Sequence, residues 1–440
     1  MGACWLQWLA TVAKPPTRRE NIMAAIRGEG SIYQRASDGM WVCAIDLGTG
    51  PDGKRRRKTV TAATKPALVK KRRQLIRDIE DGIVVTHAGM TVGAWLDVWH
   101  ADICKTRVRP RVWADYGYAI ERHLKPNLGK ARLDKLTPPM IRDLHKAIAA
   151  TPKRVGRGTS KTETVSARTV EVCHNILSAA LKDAVREKLL RENPCLLVDK
   201  PSVKSRVREP ITVEQAKALL LTSKGDPLAA MWATALLTGA RKSELLGLTW
   251  DRIDLDAGTV NFAWQLQQVP WRHGCGTRRD GVWPCRKQAA RACPRKVRDV
   301  TPDFEFQPVY EGLCFTRPKT SASIRMVPIP QLLVQALRAH QETSRPNKWG
   351  LVWAQPSGLP VKHRDAVEAW HAACDRADIP RCDLHATRHT TASLLMELGV
   401  PSEVIAAILG HATVLSTRGY LHTSNQVAQQ ALAQLGSALT

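Results

Sequence analysis

The segment Leu228–Leu237 is apolar at almost every position. An α-helix with no polar face has nothing to turn toward water, so this one must be enclosed by other elements. Asp226-Pro227 supplies its start, and Thr238-Gly239-Ala240 breaks it. The residue delivered next is Arg241, at the start of the following helix. There the backbone N–H groups of a first turn favour an anion. Glu244 lies one turn on and is placed to brace Arg241 or a histidine. A buried scaffold thus ends on a cation.

More such groups follow in order. Lys319 sits in Arg317-Pro318-Lys319-Thr320. His385 and Arg388 share Leu384-His385-Ala386-Thr387-Arg388-His389, three apart at a helix start and so on one face. His411 closes Leu409-Gly410-His411, after the short helix Ser402–Leu409. Tyr420 follows in Thr417-Arg418-Gly419-Tyr420-Leu421-His422. Two arginines, a lysine and two histidines around a phenol suit a phosphodiester. A phosphate undergoing substitution gains negative charge on its non-bridging oxygens, which fixed guanidinium forks hold well. A tyrosine hydroxyl can then act as the covalent nucleophile.

The order and spacing of these motifs resemble the tyrosine recombinases, the phage-integrase family. The resemblance covers the chain after its first few dozen residues and is densest after Val207. It implies a multidomain chain with a small α+β arm-binding domain and an all-α, SAM-like core-binding domain. The third part is a mainly α catalytic domain with a small antiparallel sheet. It assigns Arg241 and Arg388 to the two non-bridging oxygens and Tyr420 to nucleophilic attack. The products would be a 3′-phosphotyrosine and a free 5′ hydroxyl. Lys319 becomes the general acid toward the leaving 5′ oxygen, although Arg317 is close enough to be an alternative. His385 contacts the phosphate or helps proton transfer, and His411 buttresses phosphate and tyrosine. Glu244 and His422 support, and His389 points elsewhere as a structural residue. Bond energy is conserved in the phosphotyrosine, so no cofactor is required for the chemistry. The helix Gln426–Leu439 is expected to pack on a neighbouring protomer of a homo-tetramer.

Composition agrees with a polyanionic partner. The 440 residues carry a net charge of +26 and a pI near 10.0. The charge is +8 over residues 1–90, +10 over 91–205 and +8 over 206–440. Every part is therefore expected to touch DNA, with an affinity that falls steeply with salt. The eleven cysteines form no compact disulfide pattern, which points to a reducing cytoplasm, at the bacterial nucleoid. No stretch is long and apolar enough to span a bilayer, so no membrane partner is expected.

Residues 1–22 read as a disordered extension or an early start, ahead of Met23. Residues 23–88 form the arm-type domain, with short strands turned at Asp38-Gly39 and Asp52-Gly53. Lys54, Arg55, Arg56, Arg57 and Lys58 would line one strand and enter a major groove; the competing reading is a solvated charge run. A helix from Lys65 to Asp81 follows. Residues 89–200 change to helical period, with helices starting at Val92, Trp113, Pro138 and Ser166. Trp95, Trp99 and Trp113 are expected in the core, and Thr137-Pro138 is expected to cap a helix. Lys153, Arg154 and Arg157 lie in a basic loop suited to DNA. Residues 201–210 form a proline-bounded linker, and residues 211–440 the catalytic domain. Strands are expected over Thr259–Val269, around Arg298 and at Leu313–Phe315.

A Cys-rich insertion at about 270–297 departs from the pattern. His273, Cys275, Cys285 and Cys293 are a candidate structural Zn²⁺ set; the alternative is three free thiols in a disordered loop. The whole is read as a site-specific recombinase, a phage or mobile-element integrase acting on attachment-type sites in double-stranded DNA. An accessory bending protein or excision factor is a possible partner by family analogy. The competing functions are a non-catalytic, architectural DNA-binding protein and a type IB topoisomerase-like enzyme.

Overall fold

The computed structural model describes residues 32–49, 53, 55–80, 89–153, 163–203, 211–320, 323–410 and 421–439. The chain divides into two compact units, with the boundary between Val203 and Lys204 and with Arg109–Arg111 counted in the second. No helix among the described residues is long and apolar enough to cross a membrane.

The first unit begins with an antiparallel meander of β1 (Ile32–Gln34), β2 (Trp41–Thr49) and β3 (Arg55–Ala62). Gly39 takes a positive φ in the first turn, as the Asp38-Gly39 pair requires. Helix α1 (Lys65–Glu80) buries Leu68, Leu75 and Ile79 against Cys43, Ile45 and Ala62 of the sheet. The pleat divides the basic run. Arg55 and Arg57 are exposed, whereas Lys58 pairs with Ile45 and is half-buried. Residues 55–58 stand on one strand, and the period of two sends successive side chains to opposite faces.

The rest of this unit is helical. Thr91 caps α2 (Val92–Val98) by accepting from Ala94 N. This helix widens into a π-turn at Trp99–Cys104 before Lys105–Arg107. Helix α3 (Pro110–Ala119) widens likewise at Ile120–Leu124 before Lys125–Leu128. Helices α4 (Pro138–Ala149) and α5 (Ala167–Arg186) complete the core. Trp95 and Trp99 are buried, donating to Ala180 O (2.9 Å) and Asp183 Oδ2 (2.8 Å). Trp113 is half-buried and stacks on His100. Thr137 precedes α4 without a side-chain capping bond, so Pro138 alone marks that start.

In the second unit Thr212 and Gln215 form a reciprocal capping box at α6 (Val213–Thr222). Helix α7 (Ala229–Thr238) is buried from Ala230 through Thr238. Its Trp232 meets Trp370 edge-on at 5.3 Å. Gly239 closes α7 in the left-handed conformation. A Cβ there would come within 2.3 Å of Leu409 Cδ2, so both backbone angle and space require glycine. Helix α8 (Lys242–Leu246) follows.

Thr259–Val269, expected as one strand, divides between two sheets. β5 (Thr259–Asn261) lies between β4 (Ile253–Asp254) and β11 (Met326–Pro328). β6 (Gln265–Gln268) joins β10 (Leu313–Thr316), whose other neighbour is β9 (Phe306–Tyr310). The break falls at Phe262-Ala263-Trp264, where Phe262 and Trp264 both turn into the core. A two-stranded ribbon, β7 (Trp271–Arg272) with β8 (Val297–Arg298), roots the Cys-rich insertion.

Helices α9 (Gln331–Thr343), α10 (His363–Arg376), α11 (Ala386–Glu397), α12 (Ser402–Leu409) and α13 (Leu421–Ala438) finish the unit. In the last of these, Ala428, Ala431, Leu432, Leu435 and Leu439 are buried in the core of this unit. Two fully buried leucines stabilise that docking by about 1.5–3 kcal/mol each.

Candidate functional site

The left-handed turn at Gly239 leads the chain out of α7 and sets Arg241 at the N-cap of α8. Glu244 then folds back over the helix start. Its Oε2 accepts from Arg241 N (3.0 Å) and its Oε1 from Arg241 Nη1 (2.6 Å). One backbone N–H at this helix start is thus taken by the protein's own carboxylate.

Glu244 is 1% exposed and serves a second cation. Arg325 Nη2 donates to Glu244 Oε2 at 3.0 Å. Burial opposes ionisation of Glu244, but Arg325 and Arg241 outweigh it and hold the carboxyl below the usual range.

The three arginines share a further target. Arg325 Nε donates to Ile408 O (2.7 Å), Arg388 Nη2 to Leu409 O (2.5 Å) and Arg241 Nη2 to Gly410 O (3.1 Å). These consecutive carbonyls close α12, where Gly410 is left-handed. Terminal carbonyls have no intrahelical partner, and here guanidiniums supply three of them. Arg388 also donates to Gly239 O (2.9 Å), tying α11 to the turn before Arg241.

The charges do not balance. Among the described residues, Arg241, Arg325 and Arg388 face one carboxylate, Glu244. Burial first, then Arg241 and Arg325, pushes the Arg388 guanidinium down to about 9. It stays charged at neutral pH, and an added anion would relieve the repulsion. Arg241 keeps about a third of its side chain exposed, while Arg388 and Arg325 are enclosed.

His385 is the N-cap of α11, and its backbone N–H donates to Asp383 Oδ1. Its ring meets that of His389 edge-on at 5.3 Å. The expectation that His389 points elsewhere is corrected, because residues four apart on a helix are neighbours. Lys319 is exposed in a bend, with no hydrogen bond or ion pair among the described residues. Arg317, the alternative, is bonded to Glu305 (3.0 Å) and lies 3.9 Å over the Trp264 ring.

His411, Tyr420, Lys54, Arg154 and Arg157 lie outside the described residues, as do the side chains of Arg56 and His422. Of the other basic residues singled out for DNA, Arg55 pairs with Asp46 (2.5 Å) and Lys153 with Glu163 (2.6 Å). Both pairs are largely exposed, and such pairs are weak enough to exchange for phosphate. His273, Cys275, Cys285 and Cys293 are brought together, with all four ligand atoms within 4.8 Å of one another.

Arg325 escaped the reading of the sequence. The signal lay in strand period. In Ser323-Ile324-Arg325-Met326-Val327, the odd positions are buried, while Ile324 and Met326 are 45% and 60% exposed. An arginine in phase with Val327 and Ile329 must find a buried anion.

Residues 307–426 match the phage integrase family, and residues 91–148 match the N-terminal SAM-like domain of phage integrases. An integrase of Saccharopolyspora erythraea is 26% identical over 434 residues, covering 93% of this chain and 96% of that protein. An integrase of Streptomyces ambofaciens is 27% identical over 399 residues, covering 88% and 90%. Among solved structures, the chain is similar to the Tn1549 transposon integrase in complex with a circular intermediate DNA. The TM-score is 0.55 at 18% identity, over 74% of this chain and 92% of that one. The chain belongs to the phage integrase family. It is a tyrosine site-specific recombinase.

Proposed function

We propose that this recombinase binds attachment-type sites in double-stranded DNA and exchanges strands through a 3′-phosphotyrosine at Tyr420. The observation that carries the reading is the convergence of Arg241 and Arg388 on one end of α12, with positive charge in excess of Glu244. That arrangement suits a phosphate whose charge grows during substitution.

In this reading Arg241 and Arg388 hold the two non-bridging oxygens. Arg325 acts through Glu244 as a positioning residue. Tyr420, its phenolic proton passed to a local base, attacks phosphorus and expels the 5′ oxygen, which takes its proton from Lys319 on the exposed bend. His385 and His411 hydrogen-bond the phosphate, and Glu244 and His422 support. The phosphotyrosine conserves the energy of the broken bond, and a 5′ hydroxyl returns it on rejoining. Neither ATP nor a redox group is called for.

The division of labour is also proposed: residues 23–88 bind arm sites, 89–200 core sites, 201–210 tether and 211–440 cut. Arg55, Arg57 and the exposed Lys70 and Arg73 of α1 supply phosphate contacts in the first of these. Exchange between two duplexes breaks four strands, so one tyrosine per chain calls for four chains. With α13 docked in its own core, the tetramer forms through other surfaces or by swapping that helix. An accessory bending protein or excision factor would set direction, and the site of action is the bacterial nucleoid.

The test is to incubate the protein with fragmented source-genome DNA, isolate SDS-resistant adducts and sequence their ends. Adducts are expected at one or a few sites and absent with Tyr420→Phe. Tight, salt-sensitive binding without adducts would instead support an architectural role. Adducts without hybrid junctions would support a topoisomerase-like one.

A further inference from the structure

The insertion rooted on β7 and β8 has almost no core of its own. Between Pro270 and Val297, Cys293 and His273 are buried, Trp271 and Trp283 are half-buried, and Val282 and Val297 are exposed. The same stretch carries eight basic residues against the single Asp280, and all eight are exposed. A hairpin of this kind repels itself and buries too little apolar surface to hold a shape. Yet its most buried side chains are a thiol and an imidazole.

We propose that His273, Cys275, Cys285 and Cys293 form a closed, structural Zn²⁺ site that folds this insertion. His273 Nδ1 lies 3.4 Å from Cys285 Sγ and 3.9 Å from Cys275 Sγ, and all four donor atoms fall within 4.8 Å. Around tetrahedral zinc, bonds of about 2.0–2.1 Å to nitrogen and 2.3 Å to sulfur set donor separations of about 3.6–3.8 Å. The histidine is prepared for this role. Its Nε2 faces Gln288 O at 3.4 Å, a carbonyl that would accept the ring proton and leave Nδ1 free to face the cysteines. Its ring stacks on Trp283, with centroids 4.1 Å apart and planes 10° apart.

The backbone narrows around the set. A Cβ on Gly274 would come within 2.1 Å of Arg295 O, so only glycine lets the two arms approach this closely. Gly276 follows the first cysteine at a φ of +118°, a conformation that side chains disfavour. Four protein donors leave no open position, which fits a structural rather than a catalytic metal. Binding releases the thiol protons, and the resulting site of net charge −1 sits among cations that attract it.

The full chain should be purified under reductant without chelator, and its zinc measured by elemental analysis and by chelator colour after mercurial release. One zinc per chain is expected, lost in Cys285→Ser and retained in Cys382→Ser, which lies outside the cluster. Co²⁺ added to stripped wild-type chain should give the thiolate charge-transfer and intense d–d bands of a tetrahedral sulfur-rich site. This arm does not depend on the variant folding. Stripping should also speed tryptic cleavage at Arg278, Arg279, Arg286 and Lys287. The proposal is overturned if wild type, after reconstitution, holds no more zinc than Cys285→Ser. It is equally overturned if that variant keeps its zinc, or if cobalt gives only weak octahedral bands.

Discussion

Arg325 shows how much one side chain of this site is asked to do. It bonds Glu244, Ile408 O and Ser323 O, and lies over the Phe262 ring at 4.8 Å. Breaking one partner of a buried ion pair costs about 3–5 kcal/mol. Arg325→Met is therefore expected to lower the unfolding stability of the catalytic unit by about that much. Pairing it with Glu244→Gln should recover part of the loss, since no bare carboxylate is then left enclosed. An unchanged melting temperature in the single variant would show that the network does not stabilise the fold. The pairing of Arg241 with Glu244 could be read from three-residue spacing on a helix. Arg325 could not be read so directly, because Ile324, Met326 and Val327 make the strand look uniformly apolar. Only the phase of the alternation, settled by pairing of β11 with β5, says which residues face inward.

At the scale of elements, local chemistry was legible wherever it was self-contained. The Gly239 stop and the Asp38-Gly39 turn needed no tertiary information. The π-turns in α2 and α3, the division of Thr259–Val269 and the docking of α13 depend on distant partners. Another such pairing lies between α4 and α5. His145 Nε2 and His174 Nδ1 are 3.0 Å apart. Burial holds both imidazoles below their ordinary range, and Lys200 adds to the effect on His174. Because the folded values are depressed, the unfolded chain takes up protons first as the pH falls below about 6.5. The stability these rings contribute is thus complete above that pH and declines toward the lower folded values. Unfolding of the full chain from pH 7.5 to 5.5 should show a loss at the helical unit that His174→Gln flattens. Equal slopes for the two proteins would refute the assignment.

For the molecule as a whole, charge is the property most plainly written in composition, since +26 is spread over every part of the chain. If six to ten phosphates are contacted, affinity should drop about 10³- to 10⁵-fold between 50 and 200 mM salt. A shallow slope in a binding titration would confine the contact to one unit. The arginine clamp at the end of α12 carries a less obvious consequence. The guanidiniums that would grip the scissile phosphate already hold Leu409 O and Gly410 O. DNA and the polypeptide leading to Tyr420 therefore draw on a common set of donors. Whatever engages those donors also bears on the last carbonyls of α12, and the influence must run equally in both directions. Hydrogen exchange at the amides of Ile405 to Gly410 should change when cognate DNA binds, and should not in Arg388→Ala. Occupancy of the duplex and the pairing of that helix end would then be one variable, read at either place.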